Sequence, residues 1–252
     1  NYQKGLEATL KSMVPIARGM GSSACVAVAL ARALFSFFSL HFSEKELLAA
    51  ANIEEVATHI NPSGLDAATC ASNTPIWMMS GKIKRIPINL DGCLLICDTG
   101  IKGQTSEAIA AVKKRLGSDA KETNALFDKL QELTLAAKKQ LAKNDLLGLG
   151  QTFDAAQSVL KTLGVSCDEL DEYISVAKDN GALGAKLTGG GRGGCFICLT
   201  KNAAQANELA QKLRLAKHGS NRSPPRRRKP FYEKNSKSPH EYRACQILGQ
   251  SR

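Results

Sequence analysis

Between Pro15 and Ala29 the chain reads PIARGMGSSACVAVA. Gly19 and Gly21 suit a tight turn whose backbone comes close to another group. Ser22 and Ser23 stand where a hydroxyl caps the helix that the following small and apolar residues should form. The amides at the start of such a helix lack intrahelical partners and sit at the positive end of its dipole. Together they would make an anion site suited to phosphate. An ordinary loop and N-cap before a core helix has the same appearance. No Gly-Lys-Ser/Thr closes the stretch, so it is not a Walker loop.

A second stretch, His59 to Ala71, reads HINPSGLDAATCA. Asn61-Pro62-Ser63-Gly64 is a turn signal, and a helix should begin at Leu65. Asp66 falls in its first turn. There it either complements the helix dipole or aims a carboxylate into a cleft, where it could orient or deprotonate a hydroxyl. The third stretch, Gly181 to Thr200, reads GALGAKLTGGGRGGCFICLT. Gly189, Gly190, Gly191, Gly193 and Gly194 fall within six residues directly before an apolar strand, Cys195–Leu199. That density is costly in backbone entropy. A loop in close approach to a ligand or to another loop explains it better than a flexible linker.

The elements that must hold these stretches follow from pattern. Ser22–Leu40 is apolar on nearly all sides and is expected as a buried helix. Ser43 opens a second helix to about His59, with Glu46 completing a capping box. Strands are expected near Pro75–Met79 and Lys82–Ile88, joined by a Ser80-Gly81 turn, and again at Cys93–Asp98. Helices should follow at about Thr105–Leu116, Lys121–Lys143, Leu146–Leu163, Ser166–Asn180 and Asn202–Ala216.

The chain has 252 residues, 43% of them hydrophobic, enough for one large or two modest domains. No apolar run reaches about 18 residues without charge, so a transmembrane helix is not expected. No basic-then-apolar leader is visible at the start. Of the net charge of +11, the ten Lys/Arg and two acids after Leu215 supply +8, leaving +3 for the body. A nearly balanced body excludes a whole-domain nucleic-acid signal. The Pro-, Ser- and Arg-rich tail, 216–252, has few large apolar residues and is expected to be disordered. Its Arg226–Lys229 run reads as a solvated charge cluster before it reads as a nucleic-acid patch. Eight cysteines, mostly inside apolar runs, fit reduced thiols in a reducing compartment. Cys195 and Cys198 have CxxC spacing, but no second ligand pair accompanies them, so a zinc site is not expected.

The three stretches, in this order, resemble the GHMP kinase superfamily and, within it, the mevalonate kinase family. Pro15, Gly19, Met20, Gly21, Ser22, Ser23 and Ala24 match the P-x-x-x-G-(L/M)-G-S-S-A loop. Asn61 to Asp66 resembles the N-P-S-G-(V/I/L)-D block, and Lys186-Leu187-Thr188-Gly189 with the glycines and Cys195 resembles K-L-T-G-x-G-x-G-G-C. The resemblance covers about Asn1 to Leu213. It implies an α+β two-domain GHMP kinase fold, with a partial ribosomal-protein-S5-like N-terminal domain over 1–88, a ferredoxin-like C-terminal domain over 89–215 and the basic tail beyond. It implies phosphorylation of mevalonate by ATP, in isoprenoid and sterol precursor synthesis. Arg18 to Ala24 would cradle the ATP phosphates, and Ser23 and Glu55 would ligate Mg2+, with Glu54 the local rival. Asp66 would be the catalytic carboxylate. Ser63, Gly64, Thr188, Gly189, Gly190 and Gly191 would hold and shape the substrate site. A homodimer is implied, without membrane or nucleic-acid partners, in the cytoplasm or alternatively a peroxisome-type organelle.

Some features depart from the pattern. The superfamily's first motif, with its catalytic Lys, would precede Asn1, so the chain is expected to be an N-terminally truncated, weakly active or inactive kinase. Arg192 stands where these kinases more often have Gly, and would reach a phosphate or point to solvent. The tail reads as foreign or frame-shifted sequence where a closing helix and strand are expected. Other readings stay open: phosphomevalonate or homoserine as acceptor, or an inactive remnant that binds nucleotide or a partner.

Overall fold

The computed structural model describes residues 5–12, 14, 16, 18–58 and 63–219, without the side chains of 54–58 and 215–219. Two bodies of packing are evident. In the first, α1 (Ser22–Phe37) lies against α2 (Glu44–Thr58) and α3 (Leu65–Ala71). Ala24, Ala27, Val28 and Ala31 of α1 meet Leu47 and Ala51 of α2 and Ala67 of α3. Such small side chains let the three backbones approach closely.

The expectation that α1 is buried all round does not hold. Its inner stripe is buried, but Leu30, Leu34 and Phe37 on the outer side remain exposed. No described element covers that side. The helix also stops at Phe37 instead of Leu40, because Ser39 turns left-handed at φ 51° and the Leu40 N–H returns to the Phe35 carbonyl at 2.8 Å. At the head of α2 the capping box forms: the Ser43 N–H donates to Glu46 Oε2 at 2.8 Å, and the Glu46 N–H donates to Ser43 Oγ at 3.3 Å.

Strands β1 (Ile76–Met79) and β2 (Lys82–Arg85) pair antiparallel across Ser80 and Gly81. Both turn residues have positive φ, the type I′ geometry that suits the strand twist. β2 ends three residues before the expected Ile88, and all four of its residues are exposed.

The second body is built on β3 (Cys93–Asp98), β4 (Gly184–Leu187) and β5 (Cys195–Thr200), an antiparallel sheet in the order β3-β5-β4. The chain order places four helices between β3 and β4: α4 (Thr105–Ser118), α5 (Ala120–Lys143), α6 (Leu146–Thr162) and α7 (Asp168–Asp179). Helix α8 (Ala203–Gly219) follows β5. First strand beside third, third beside second, is the ferredoxin-like arrangement. Phe196 and Cys198 of β5 face Leu170, Ile174, Leu209 and Leu213 of α7 and α8. Leu199, on the opposite sheet face, packs with Leu149 of α6 and with Leu90.

Strand β4 is an edge strand, and α6 covers the edge. Asp154 Oδ1 accepts from the Ala185 N–H at 3.1 Å, and Gln157 Oε1 accepts from the Leu187 N–H at 2.9 Å. A three-residue step on the helix thus matches a two-residue step on the strand. The helix reaches this close because Gly150 and Gly184 meet backbone to backbone, where a Cβ on either would clash. Strand β4 is absent from the elements expected above; four residues with two glycines nearby give little pattern to read.

Cys195 and Cys198 lie three apart on β5, so their side chains leave opposite faces of the sheet. That geometry rules out the CxxC pair as a metal clamp. No cluster of three metal-ligating side chains occurs among the described residues. Nor is any described helix long and apolar enough to cross a membrane.

Candidate active site

The turn before α1 is built from left-handed backbone. Gly19 has φ 73° and Gly21 φ 62° and ψ 31°, with Gly21 as the N-cap. This corrects one expectation: neither Ser22 nor Ser23 is the cap. Both are the first helical residues, because a glycine in the left-handed region already turns the chain into the helix. No side chain bonds the cap position, and the helix ladder opens with the Cys25 N–H to the Gly21 carbonyl at 2.9 Å. The amides of the turn before it therefore point outward along the axis. Met20 is buried and pins the loop from below, while Gly19 and Ser23 are exposed above.

The glycine-rich loop packs directly onto this turn. A Cβ on Gly19 would lie 2.9 Å from the Thr188 carbonyl, and one on Gly189 would fall on the Gly19 backbone. Next to them, the Cys195 N–H donates to the Arg18 carbonyl at 3.0 Å, and a Cβ on Gly194 would sit 2.8 Å from that same oxygen. Arg18 also reaches across: its Nε lies 3.4 Å from Asp98 Oδ2, at the end of β3, while its Nη1 is buried without a partner. The Gly190 position abuts the Thr105 side chain, and the Gly191 position the Val165 carbonyl. The glycines thus serve backbone-to-backbone contact on both sides of the loop.

Arg192 takes neither of its two expected roles. Its backbone is left-handed, at φ 54°. Its Nε donates to the Gly164 carbonyl at 3.0 Å, its N–H donates to the Val165 carbonyl at 2.9 Å, and Nη1 lies 3.9 Å from Glu107. The guanidinium ties the loop to the α6–α7 turn and the start of α4.

Asp66 stands in the first turn of α3, exposed, behind a left-handed Gly64 N-cap with φ 71°. Ser63 Oγ accepts from the Leu65 N–H at 3.3 Å and braces that turn. The carboxylate is close enough to α1 to act electrostatically on Cys25. Glu55 lies on α2, but its side chain, with that of Glu54, falls outside the described residues, as do Pro15, Ala17, Asn61, Pro62 and the tail after Gly219.

Two residues beyond the expected set matter. Asp98 is the carboxylate that Arg18 meets; an acid closing an apolar strand was its only signal. Lys186, within the third motif, is the other. Burial pushes its ammonium down to about 8, and its Nζ donates to the Leu187 carbonyl at 2.6 Å.

The amino-acid sequence matches the GHMP kinase N-terminal domain over residues 1–74 and the GHMP kinase C-terminal region over 137–218. The chain belongs to the GHMP kinase family. A mevalonate kinase of Pyrococcus horikoshii is 30% identical over 217 residues, covering 84% of this chain and 64% of the relative. Mevalonate kinase of L. major, solved with R-mevalonate, superposes with a TM-score of 0.70 at 30% identity, over 77% of this chain and 61% of that one. Mevalonate kinase of methicillin-resistant Staphylococcus aureus does so with a TM-score of 0.61 at 31% identity, over 81% and 65%. The chain therefore spans about 64% of the length of the curated relatives it matches.

Proposed function

We propose that this GHMP kinase chain is the greater part of an enzyme that transfers the γ-phosphoryl group of ATP to the primary hydroxyl of mevalonate. The observation that carries the reading is the uncapped first turn of α1, opened by Gly19 and Gly21, braced by the Gly189–Gly194 loop, and packed against the helix that bears Asp66. Outward amides and a helix dipole suit phosphate oxygens. Mg-ATP fits this donor set, with Ser23 and Glu55 as the oxygen ligands for the cation. When bound it supplies the phosphoryl group and the cation that neutralises the charge developing on it.

The protein's own groups hold and orient. The Arg18–Ala24 turn fixes the phosphates. Asp66 orients the acceptor hydroxyl and takes its proton, while Ser63 and Gly64 keep Asp66 on the correct turn. Thr188 to Gly191 shape the opposite wall. Positioning and charge neutralisation supply most of the rate. The domain division proposed is 1–88 and 89–215; Leu90 packs with Leu149 and Leu199 of the second body, and Ile88, at the boundary, packs there as well.

The test is mevalonate-dependent ADP release by the purified chain with Mg-ATP. Asp66→Ala is expected to lower turnover by about 10²–10⁴-fold at unchanged stability. Release with phosphomevalonate or homoserine, and none with mevalonate, would move the acceptor elsewhere in the family. Nucleotide binding without any transfer would leave the chain a binder.

A further inference from the structure

One cluster beside the site has no part in phosphoryl transfer. Cys25 Sγ and Cys70 Sγ lie 3.1 Å apart, 45 residues distant in sequence. Cys25 follows Ala24 in the first full turn of α1, and Cys70 stands four residues after Asp66 on α3. Both are partly buried and not sealed off, so a small oxidant reaches them. The two helices meet through Ala24, Ala27 and Ala67, which is why two short side chains touch at all. A disulfide needs sulfurs about 2.05 Å apart, so bond formation brings the two sulfurs about an ångström closer and joins α1 to α3 covalently.

We propose that Cys25 and Cys70 are a peroxide-oxidisable thiol pair whose disulfide clamps the phosphate-loop helix to the helix carrying Asp66 and thereby lowers turnover.

The chemistry balances. The Cys25 sulfur attacks one oxygen of hydrogen peroxide; the O–O bond breaks and an S–O bond forms. The leaving hydroxide takes the thiol proton, giving one water and Cys25 sulfenic acid. The Cys70 sulfur then attacks the Cys25 sulfur; the S–S bond forms and the S–O bond breaks. The departing hydroxide takes the Cys70 proton as a second water. Two thiols lose two electrons and two protons, and one peroxide is reduced.

Whichever sulfur is oxidised first, the other already stands 3.1 Å away across the α1–α3 contact to resolve it, and Cys25 is taken as the first. A second pair, Cys97 and Cys198, supplies the contrast. It lies on facing strands in the sheet core, where the Cys198 hydrogen bond and burial hold the Cys97 thiol well above its ordinary value. Cys198 is fully buried and the Cys97 thiol is held in its protonated form, so of these two pairs oxidation selects Cys25 and Cys70.

The experiment treats the purified chain with hydrogen peroxide near neutral pH, digests it without reduction, and reads peptides by mass while turnover is followed in parallel. Expected is a peptide joining Cys25 to Cys70, lighter by two hydrogens, abolished by dithiothreitol. Turnover should fall about tenfold or more, because the bridge fixes the spacing between the phosphate turn and Asp66, and recover on reduction. Cys70→Ser should keep its turnover in peroxide and stop at a Cys25 sulfenic acid that dimedone traps. A folded chain that forms no such bridge, or one that forms it with turnover unchanged, overturns the inference. Absence of turnover before any oxidant is added would instead count against the kinase reading on which the turnover effect rests. The peptide readout alone then decides for or against the thiol pair.

Discussion

Gly189 and Gly81 share a backbone conformation, with φ 75° and 74°, yet differ in what surrounds them. A side chain at Gly81 meets open space, whereas at Gly189 it lands on the Gly19 backbone. Gly81→Ala is expected to cost only the left-handed penalty, about 1–2 kcal/mol, with Mg-ATP affinity unchanged. Gly189→Ala adds displacement of the phosphate turn, and its affinity for Mg-ATP should fall about tenfold or more, as read by isothermal titration calorimetry. Lys186 makes a different residue-scale prediction. Burial lowers its folded value from 10.5 to about 8, so between those values the unfolded chain binds more protons than the folded one. Stability contributed by this residue therefore rises as pH climbs from about 8 to 10.5. Across that range denaturant unfolding should show the parent chain gaining stability relative to Lys186→Met, since the Cys195 thiol, pushed up to about 12 by burial, acts in the opposite sense in both chains.

At the scale of elements, α6 acts as a side-chain strand along β4. Gln157 alone gathers three partners: it accepts from the Leu187 N–H and donates to Ser166 and Asp171. Gln157→Leu keeps the bulk but leaves the buried Leu187 amide without an acceptor. The expected loss is about 1–3 kcal/mol of stability, measured by urea unfolding, with hydrogen exchange speeding first at β4. The sequence displayed α6 as an amphipathic helix and nothing more. That its polar side chains complete a sheet edge depends on a backbone contact between Gly150 and Gly184, residues 34 apart. No local pattern reports a contact of that kind. Helix α1 shows the converse limit. Apolar residues on all sides read as full burial, yet only neighbouring elements determine which sides are covered.

For the molecule as a whole, the two bodies are joined through the candidate site. Arg18, Gly19, Asp98, Gly189 and Cys195 make the seam, by the Arg18–Asp98 ion pair at 3.4 Å and the Cys195–Arg18 backbone bond at 3.0 Å. Asp98→Asn leaves the fold's hydrophobic clusters untouched but removes the charge facing a guanidinium that already has one buried, unpartnered nitrogen. A half-exposed pair of this kind contributes up to about 1 kcal/mol of stability. A melting temperature lower by about 2–4 °C is expected for Asp98→Asn in thermal unfolding.

What the chain's sequence determined by itself was local: the glycine-rich turns, the Ser43–Glu46 cap, the Ser80-Gly81 hairpin, most helices and three of the motifs that place it in its family. These are properties of short segments, set by backbone freedom, capping groups and apolar period, all of which act between near neighbours. Tertiary structure decided the rest. It made Gly21 and not a serine the cap, turned Arg192 inward onto Gly164, drew Asp98 to Arg18, and set Cys25 against Cys70. Each of those depends on groups far apart in sequence meeting at a few ångströms, and that distance is fixed only when the helices and sheet have packed.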